Sequence, residues 1–225
     1  MDDELAKQIQ VTNTRFYEEN GASFARTRSY TWNEERAIAP LIQHGMSVVD
    51  IGAGNGRFAR ILHDKQITYL GIEPSSALRQ SADPSLDIRD GSLPHLPLSD
   101  NLADLTVCFA VLHHLPTEAL RRTAVQELIR ITKPGGIIVA SAWYLAENTG
   151  NHTPIPHADP GDIWVPWHAD HSDAQRYVHR MQPQEWEELW QHPMLHIDRI
   201  GLFGKTDWTE DTQEARNWFV ITHRI

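Results

Sequence analysis

Cysteine is almost missing from these 225 residues: Cys108 stands alone, inside an apolar run. An intramolecular disulfide is therefore excluded, and a reducing, cytoplasmic setting is expected. Nor does any apolar stretch approach the roughly 20 residues that a membrane-spanning helix needs, so no membrane span is expected. The opening Met1-Asp2-Asp3-Glu4 has none of the apolar character of a secretory leader. Basic residues are in short supply too. Twenty Lys and Arg face 30 Asp and Glu, for a formal net charge of −10. That balance argues against a general electrostatic grip on nucleic acid, while leaving room for a local basic patch. Repeats and low-complexity segments are lacking. What remains, 40% apolar and 22% charged, is the makeup of a globular chain, with a length that suits one domain carrying an insertion.

One stretch organises the rest: Val48-Val49-Asp50-Ile51-Gly52-Ala53-Gly54-Asn55-Gly56-Arg57-Phe58. It reads as a buried strand, a tight turn and the start of a helix. Glycine allows positive φ and lets a ligand approach the main chain, and a following helix points free N–H groups at it. A nicotinamide fingerprint wants G-x-G-x-x-G. Here the third glycine, Gly56, comes one residue early, and Arg57 stands where that fingerprint needs glycine.

Before this turn, residues 4–20 read as a helix punctuated by Gly21, and Thr31 or Asn33 could cap a second helix to about Ile42. Phe24 and Trp32 suit a core under this cover, whereas Arg28 is hard to bury without a partner such as a ligand carboxylate. After the turn, Ile67–Ile72 is a second strand ending in Glu73, placed where a ribose diol would lie. Ser75-Ser76 can cap a short helix. Leu86–Arg89 is a third strand, followed by Asp90-Gly91, an acid that can accept from an adenine amine beside a glycine that lets backbone approach the ring. Residues 102–112 form a fourth strand ending in His113-His114. Thr117 caps a helix to Ile131, Lys133–Gly136 makes a turn, and 137–143 is strand five. Such alternation means right-handed crossovers and a parallel sheet. Residues 144–181 break the pattern as a long polar loop with embedded Trp, Arg and His, the expected place to meet substrate. His168, Asp170 and His171 could be metal ligands, but their spacing lacks the features of a metal site. A helix at 183–191 and two late strands, read as a terminal hairpin on the sheet edge, complete the chain.

The glycine turn, Glu73, Asp90-Gly91 and Pro134-Gly135-Gly136 together resemble the class I S-adenosylmethionine (SAM) methyltransferases. That resemblance implies a Rossmann-like α/β fold, with a seven-stranded, mostly parallel sheet and an antiparallel last strand. Within it, residues 1–45 would be an N-terminal helical cover, 46–143 the SAM-binding core, 144–181 a substrate loop and 182–225 the C-terminal helix and hairpin. Thr27-Arg28 with Trp32, His113-His114-Leu115, Arg121-Arg122, Val165-Pro166-Trp167, Arg176-Tyr177 with His179, and Asn217-Trp218 are similar to one subfamily. These are the tRNA wobble-uridine carboxymethyl methyltransferases, which convert 5-carboxymethyluridine to its methyl ester. Two departures stand out: Ala53 replaces the usual cysteine, and the chain is unusually acidic for a tRNA enzyme.

The resemblance implies that Tyr17 covers the cofactor and Arg28 pairs with its carboxylate. Gly52, Gly54 and Gly56 would line its methionine part after Asp50, Glu73 would take the ribose, and Asp90 with Gly91 the adenine. Ala110 through His113 would border the sulfonium. His114, Arg121, Arg122, Trp167, Arg176, Tyr177 and His179 would contact substrate. A small zinc-containing activator protein is the implied partner beside tRNA. The chemistry needs no general base, because a carboxylate is already ionised at neutral pH, and alignment alone can supply about 7–11 kcal/mol. A cation must hold that carboxylate, with Arg176 and His179 or His113 and His114 as candidates. Two alternatives stay open: a small-molecule carboxyl or hydroxyl methyltransferase, the latter using His113 or His114 as base, and a non-catalytic SAM-fold subunit that pairs with an active one.

Overall fold

Apolar runs alternating with helices dictate a parallel sheet, and the computed structural model builds one; it describes all residues except 28, 29, 31, 63, 64, 147–151 and 168–172. Strand β1 (Ser47–Ile51) buries Val48, Val49 and Ile51. It pairs in parallel with β2 (Thr68–Ile72) on one side and β4 (Ala103–Phe109) on the other. Beyond β2 lies β3 (Ile88–Arg89), and beyond β4 lies β5 (Thr132–Trp143), both parallel to their neighbours. The chain thus winds outward both ways from β1. Where winding reverses, the loops at the strand carboxyl ends part and leave a crevice.

Helices close the faces. Helix α4 (Glu118–Ile131) starts where the Thr117 side chain accepts from the Leu120 amide, and it turns Ala124, Val125, Leu128 and Ile129 onto the sheet. Burying a leucine there contributes about 1.5–3 kcal/mol. Helix α3 (Ser76–Gln80) is capped by Ser75, and α5 (Pro183–Leu189) begins at its proline. The helix expected after the glycine turn is a single 3-10 turn, Arg57–Ile61. The second N-terminal helix is also shorter than expected. Helix α2 spans Asn33–Ala37, with Trp32 ahead of it donating its amide to Glu35, and a 3-10 turn containing Pro40 follows.

Three further expectations are corrected. Gly21 does not end the first helix: α1 is continuous from Asp3 to Arg26. A Cβ on Gly21 would meet the Ala77 Cβ at 2.9 Å, so this glycine lets α1 lie close against α3. Lys133–Gly136 is no turn. Strand β5 runs through it, with Gly135 at φ +76° and a register slip against β4. The two late strands pair antiparallel at one end of the sheet, as the hairpin reading expects. Strand β11 (Asn217–Arg224) lies between β5 and β9 (Leu195–Phe203), antiparallel to both. The two-residue β10 (Trp208–Thr209) extends the sheet past β9 to eight strands, ordered β10-β9-β11-β5-β4-β1-β2-β3. Finally, the supposed loop at 144–181 holds a three-stranded antiparallel sheet: β6 (Thr153–Pro154), β7 (Asp162–Pro166) and β8 (Gln175–His179). Alternating burial of Ile163, Val165 and Val178 gives this small sheet its own core. Among the described residues no helix is long and apolar enough to cross a membrane.

Candidate active site

At the carboxyl end of β1 the backbone passes through Gly52, Gly54 and Gly56 at φ +74°, +57° and +73°. A side chain at Gly52 would strike Val111 Cγ2 at 2.3 Å, while Gly54 faces open space. Both border a cavity of about 740 Å³, within the range of small-molecule sites. Gly56 does not reach it. A Cβ there would lie 2.4 Å from Leu86 Cδ1, so Gly56 serves packing under the β3 approach.

Two buried acids wall this cradle. Glu73, at the tip of β2, accepts from the Gly54 amide (3.0 Å) and the Ser75 amide (2.9 Å). Burial, only partly offset by those amides, pushes its pKa up to about 7. Asp50 accepts from the Tyr69 hydroxyl (2.9 Å), and burial raises it to about 7 as well. Neither carboxylate is in an ion pair with a described residue. A mostly apolar crevice with bare main chain and two buried acids fits a ligand carrying positive charge and a diol. Gly91, Ser92 and Leu93 line the cavity, but Asp90 does not. Its carboxylate is 78% exposed and bound to Arg79 at 2.9 Å. Ala110, at φ +58°, lines the wall beside Val111. Arg28 lies outside the described residues, as do His168, Asp170 and His171.

Helix α1 roofs the cavity with Asn13, Tyr17 and Phe24. The Tyr17 hydroxyl lies 2.8 Å from His114 Nε2, and His114 Nδ1 lies 2.7 Å from the Tyr177 carbonyl. A carbonyl only accepts, so Nδ1 carries the proton and Nε2 accepts from Tyr17. Burial, with a smaller contribution from the nearby Arg176 charge, lowers the His114 pKa to about 3. His113 is fully buried, takes the Trp143 amide on Nδ1 and lies face to face with the Trp143 ring; burial holds its pKa well below the usual histidine value. It does not border the cavity. Neither histidine can act as a base here: one has both ring nitrogens engaged and the other is sealed in.

Behind this wall sits Arg176, 6% exposed. Its guanidinium carbon lies 4.4 Å from the Trp143 ring centre, 5.2 Å from Trp167 and 5.8 Å from both Phe16 and Phe24. Nε and Nη1 are buried with no hydrogen-bond partner. An arginine boxed by rings without an acid is a charge awaiting one. Trp167 is thus a wall of the box. Phe16 and Trp143 were not anticipated from sequence, although Phe16, Tyr17 and Phe24 fall on neighbouring turns of α1.

The remaining substrate candidates go elsewhere. Asp162 accepts from the Tyr177 hydroxyl (2.5 Å) and pairs with His179 Nδ1 (2.7 Å); His179 Nε2 pairs with Glu185 (2.9 Å). Glu185 bonds Arg121 (2.6 Å), which donates to the Leu115 carbonyl (2.8 Å). Burial alone would lower the His179 pKa, but its two carboxylate partners hold it raised. Tyr177, His179 and Arg121 are therefore buried ties between the small sheet, α5 and α4, and none borders the cavity. Arg122 is half-exposed, paired with Glu118. Asp162 and Glu185, the acids of this chain of contacts, went unsignalled because they lie 23 residues apart on different elements.

Comparison with known proteins follows the geometry. Residues 49–140 match the family model of a methyltransferase domain. A tRNA (carboxymethyluridine(34)-5-O)-methyltransferase from Schizosaccharomyces pombe is 29% identical over 230 residues, 92% of this chain and 94% of that protein. One of the same name from Arabidopsis thaliana is 29% identical over 130 residues, 57% of this chain, which spans only about a third (32%) of that relative. Among solved structures, a Haloferax volcanii methyltransferase in complex with the Trm112 methyltransferase activator superposes with a TM-score of 0.65 at 18% identity, covering 94% of this chain and 97% of that one.

Sheet order, glycine cradle and domain match define a class I SAM-dependent methyltransferase domain with S-adenosylmethionine as cofactor. Within that class, the chain resembles the tRNA carboxymethyluridine methyltransferases.

Proposed function

We propose that this chain methylates a carboxylate, and that the acceptor is 5-carboxymethyluridine at the tRNA wobble position, converted to its methyl ester. Arg176 carries the reading: a buried guanidinium that has no acid partner and two unpartnered N–H-bearing nitrogens among the described residues, next to the histidine wall of the cofactor cavity. A carboxylate supplies the planar, two-oxygen partner that an arginine fork prefers. The engaged histidines support the same class of acceptor, since an ionised oxygen needs no proton removed. A hydroxyl acceptor would need a base that neither His113 nor His114 offers, which disfavours that alternative.

The cofactor supplies a methyl group on a sulfonium, a leaving group already activated. Around it, Gly52 and Gly54 offer main chain, Glu73 retains lone pairs for a ribose diol, Asp50 contributes negative field, and Tyr17 closes the roof. Gly91 and Ser92 take the adenine side in place of Asp90. An intact cradle speaks against a purely scaffolding subunit. A small activator protein fits as partner, since the Haloferax neighbour was solved with one. It could add the basic surface that an acidic chain lacks. The lone buried thiol of Cys108 suits a cytoplasmic setting.

The test is mass spectrometry of wobble nucleosides from cells with and without the protein. Loss of the methyl ester with accumulation of free carboxymethyluridine is expected. Unchanged ester levels would overturn the tRNA assignment.

A further inference from the structure

Asn13 has no counterpart in the roles described so far, yet it is buried, borders the cavity and sits one helical turn before Tyr17. Its Oδ1 accepts from the Tyr177 amide at 3.0 Å, and its Nδ2 reaches the Tyr177 carbonyl at 3.5 Å. A side-chain amide here imitates a neighbouring strand and holds both backbone groups of one residue of β8. That same carbonyl receives the His114 Nδ1 proton at 2.7 Å.

We infer that Asn13 is a positioning residue that sets the direction of the hydrogen bond between Tyr17 and His114. The chain of consequence is short. Asn13 fixes the Tyr177 carbonyl. The carbonyl fixes the proton on His114 Nδ1. Nε2 is then bare and must accept the only proton of the Tyr17 hydroxyl. The Tyr17 hydroxyl, its proton committed to His114, then keeps only lone pairs on the residue that roofs the cavity. An acceptor-only oxygen attracts the polarised hydrogens of a methyl on a cationic sulfur, and it cannot hydrogen-bond an incoming carboxylate, which leaves the attacking oxygen unpinned. Were the proton on Nε2 instead, His114 would donate to Tyr17, and the hydroxyl proton would swing into the cavity toward the cation. Asn13, Phe16 and Tyr17 on one helix thereby serve separate tasks: Phe16 boxes Arg176, and Asn13 and Tyr17 set polarity.

The inference rests on the methyl-transfer reading but not on the identity of the acceptor, and its test uses none. The first measurement is the ¹⁵N spectrum of the His114 ring in the wild-type protein. A neutral ring protonated on Nδ1 is expected, and protonation on Nε2 would overturn the inference. The second is the ratio of affinities for SAM and S-adenosylhomocysteine, by calorimetry. Asn13→Ala is expected to populate both His114 tautomers and to lower the preference for SAM about 3- to 5-fold, the worth of a weak C–H···O contact. Tyr17→Phe, which removes the oxygen itself, is expected to lower it at least as far. A folded Asn13→Ala protein that keeps tautomer and ratio, or a Tyr17→Phe protein that keeps the ratio, would overturn the inference. Should Asn13→Ala fail to fold, the wild-type spectrum and Tyr17→Phe still decide it. Failure of the tRNA assignment would leave these readouts untouched.

Discussion

The cofactor cradle and the arginine box lie side by side but are built by opposite means. The cradle comes from near-consecutive residues: β1, Gly52 and Gly54, and Glu73 at the tip of the next strand, joined by an amide-to-carboxylate bond across 19 positions. It works mainly through main chain, so what matters is where side chains are missing. The box draws Phe16 and Phe24 from α1, Trp143 from the end of β5, and Trp167 and Arg176 from the inserted sheet and its approach. It works wholly through side chains, on elements up to 160 residues apart in sequence. A local motif tolerates no added atoms, and an assembled one tolerates no lost partner.

The sharpest way to break this comparison is Gly52→Ala. A Cβ at a position with φ +74° and 2.3 Å from Val111 Cγ2 adds left-handed strain of roughly 1–2 kcal/mol to overpacking of about 1–3 kcal/mol. SAM affinity is expected to fall roughly 100-fold, read by calorimetry, whereas a fall below about 5-fold would mean that the turn is softer than a cradle needs to be.

Arg176→Met probes the other half. It removes an unpaired buried charge and keeps an unbranched apolar chain among the rings. Turnover of the carboxylate acceptor is expected to drop by at least about 100-fold, matching the roughly 3 kcal/mol of a charge-assisted pair. SAM affinity is expected to stay within about 2-fold. The free protein is expected to melt no lower than wild type, since replacing an uncompensated buried ion is neutral or stabilising. A variant that loses SAM binding along with turnover would merge the two regions into one.

The smallest effect concerns the ties beneath the box. His179 is held between Asp162 and Glu185 with its pKa raised above the unfolded value. Its contribution is therefore fully present below about pH 6.5 and fades as pH climbs through the folded-state value. Urea midpoints are expected to decline over that rise, and His179→Gln is expected to flatten the decline. Equal slopes in both proteins would assign the pH dependence to another group.

How much of this was legible beforehand follows the same division. Strand β1, the glycine turn and Glu73 are contiguous or nearly so, and period and spacing expose them. Capping by Ser75 and Thr117 was readable for the same reason. An Asp-Gly dipeptide gives no sign of which way its carboxylate turns, and Arg79, 11 residues away, holds that of Asp90 outside the cavity lining. The inserted sheet was taken for a loop because its strands are short and rich in Pro, His and Asp, so only pairing across long stretches makes them strands. Tyr177, His179 and Arg121, expected at the substrate, are tied instead to the acids Asp162 and Glu185. Sequence marks a residue as costly to bury; it does not say whether the partner is ligand or protein. Strands β9 and β11 pair as the expected hairpin, and only the seat of β11 beside β5 is a choice of neighbour that no local pattern encodes.

The aromatic box has one more consequence under the carboxylate reading. Substrate enters as an anion and answers the Arg176 charge, which has no acid partner among the described residues, whereas the ester that leaves has no charge to offer. The reaction thus erases the attraction that drew its own reactant in, and turnover carries its own release step, with no hinge or gate required to expel the product.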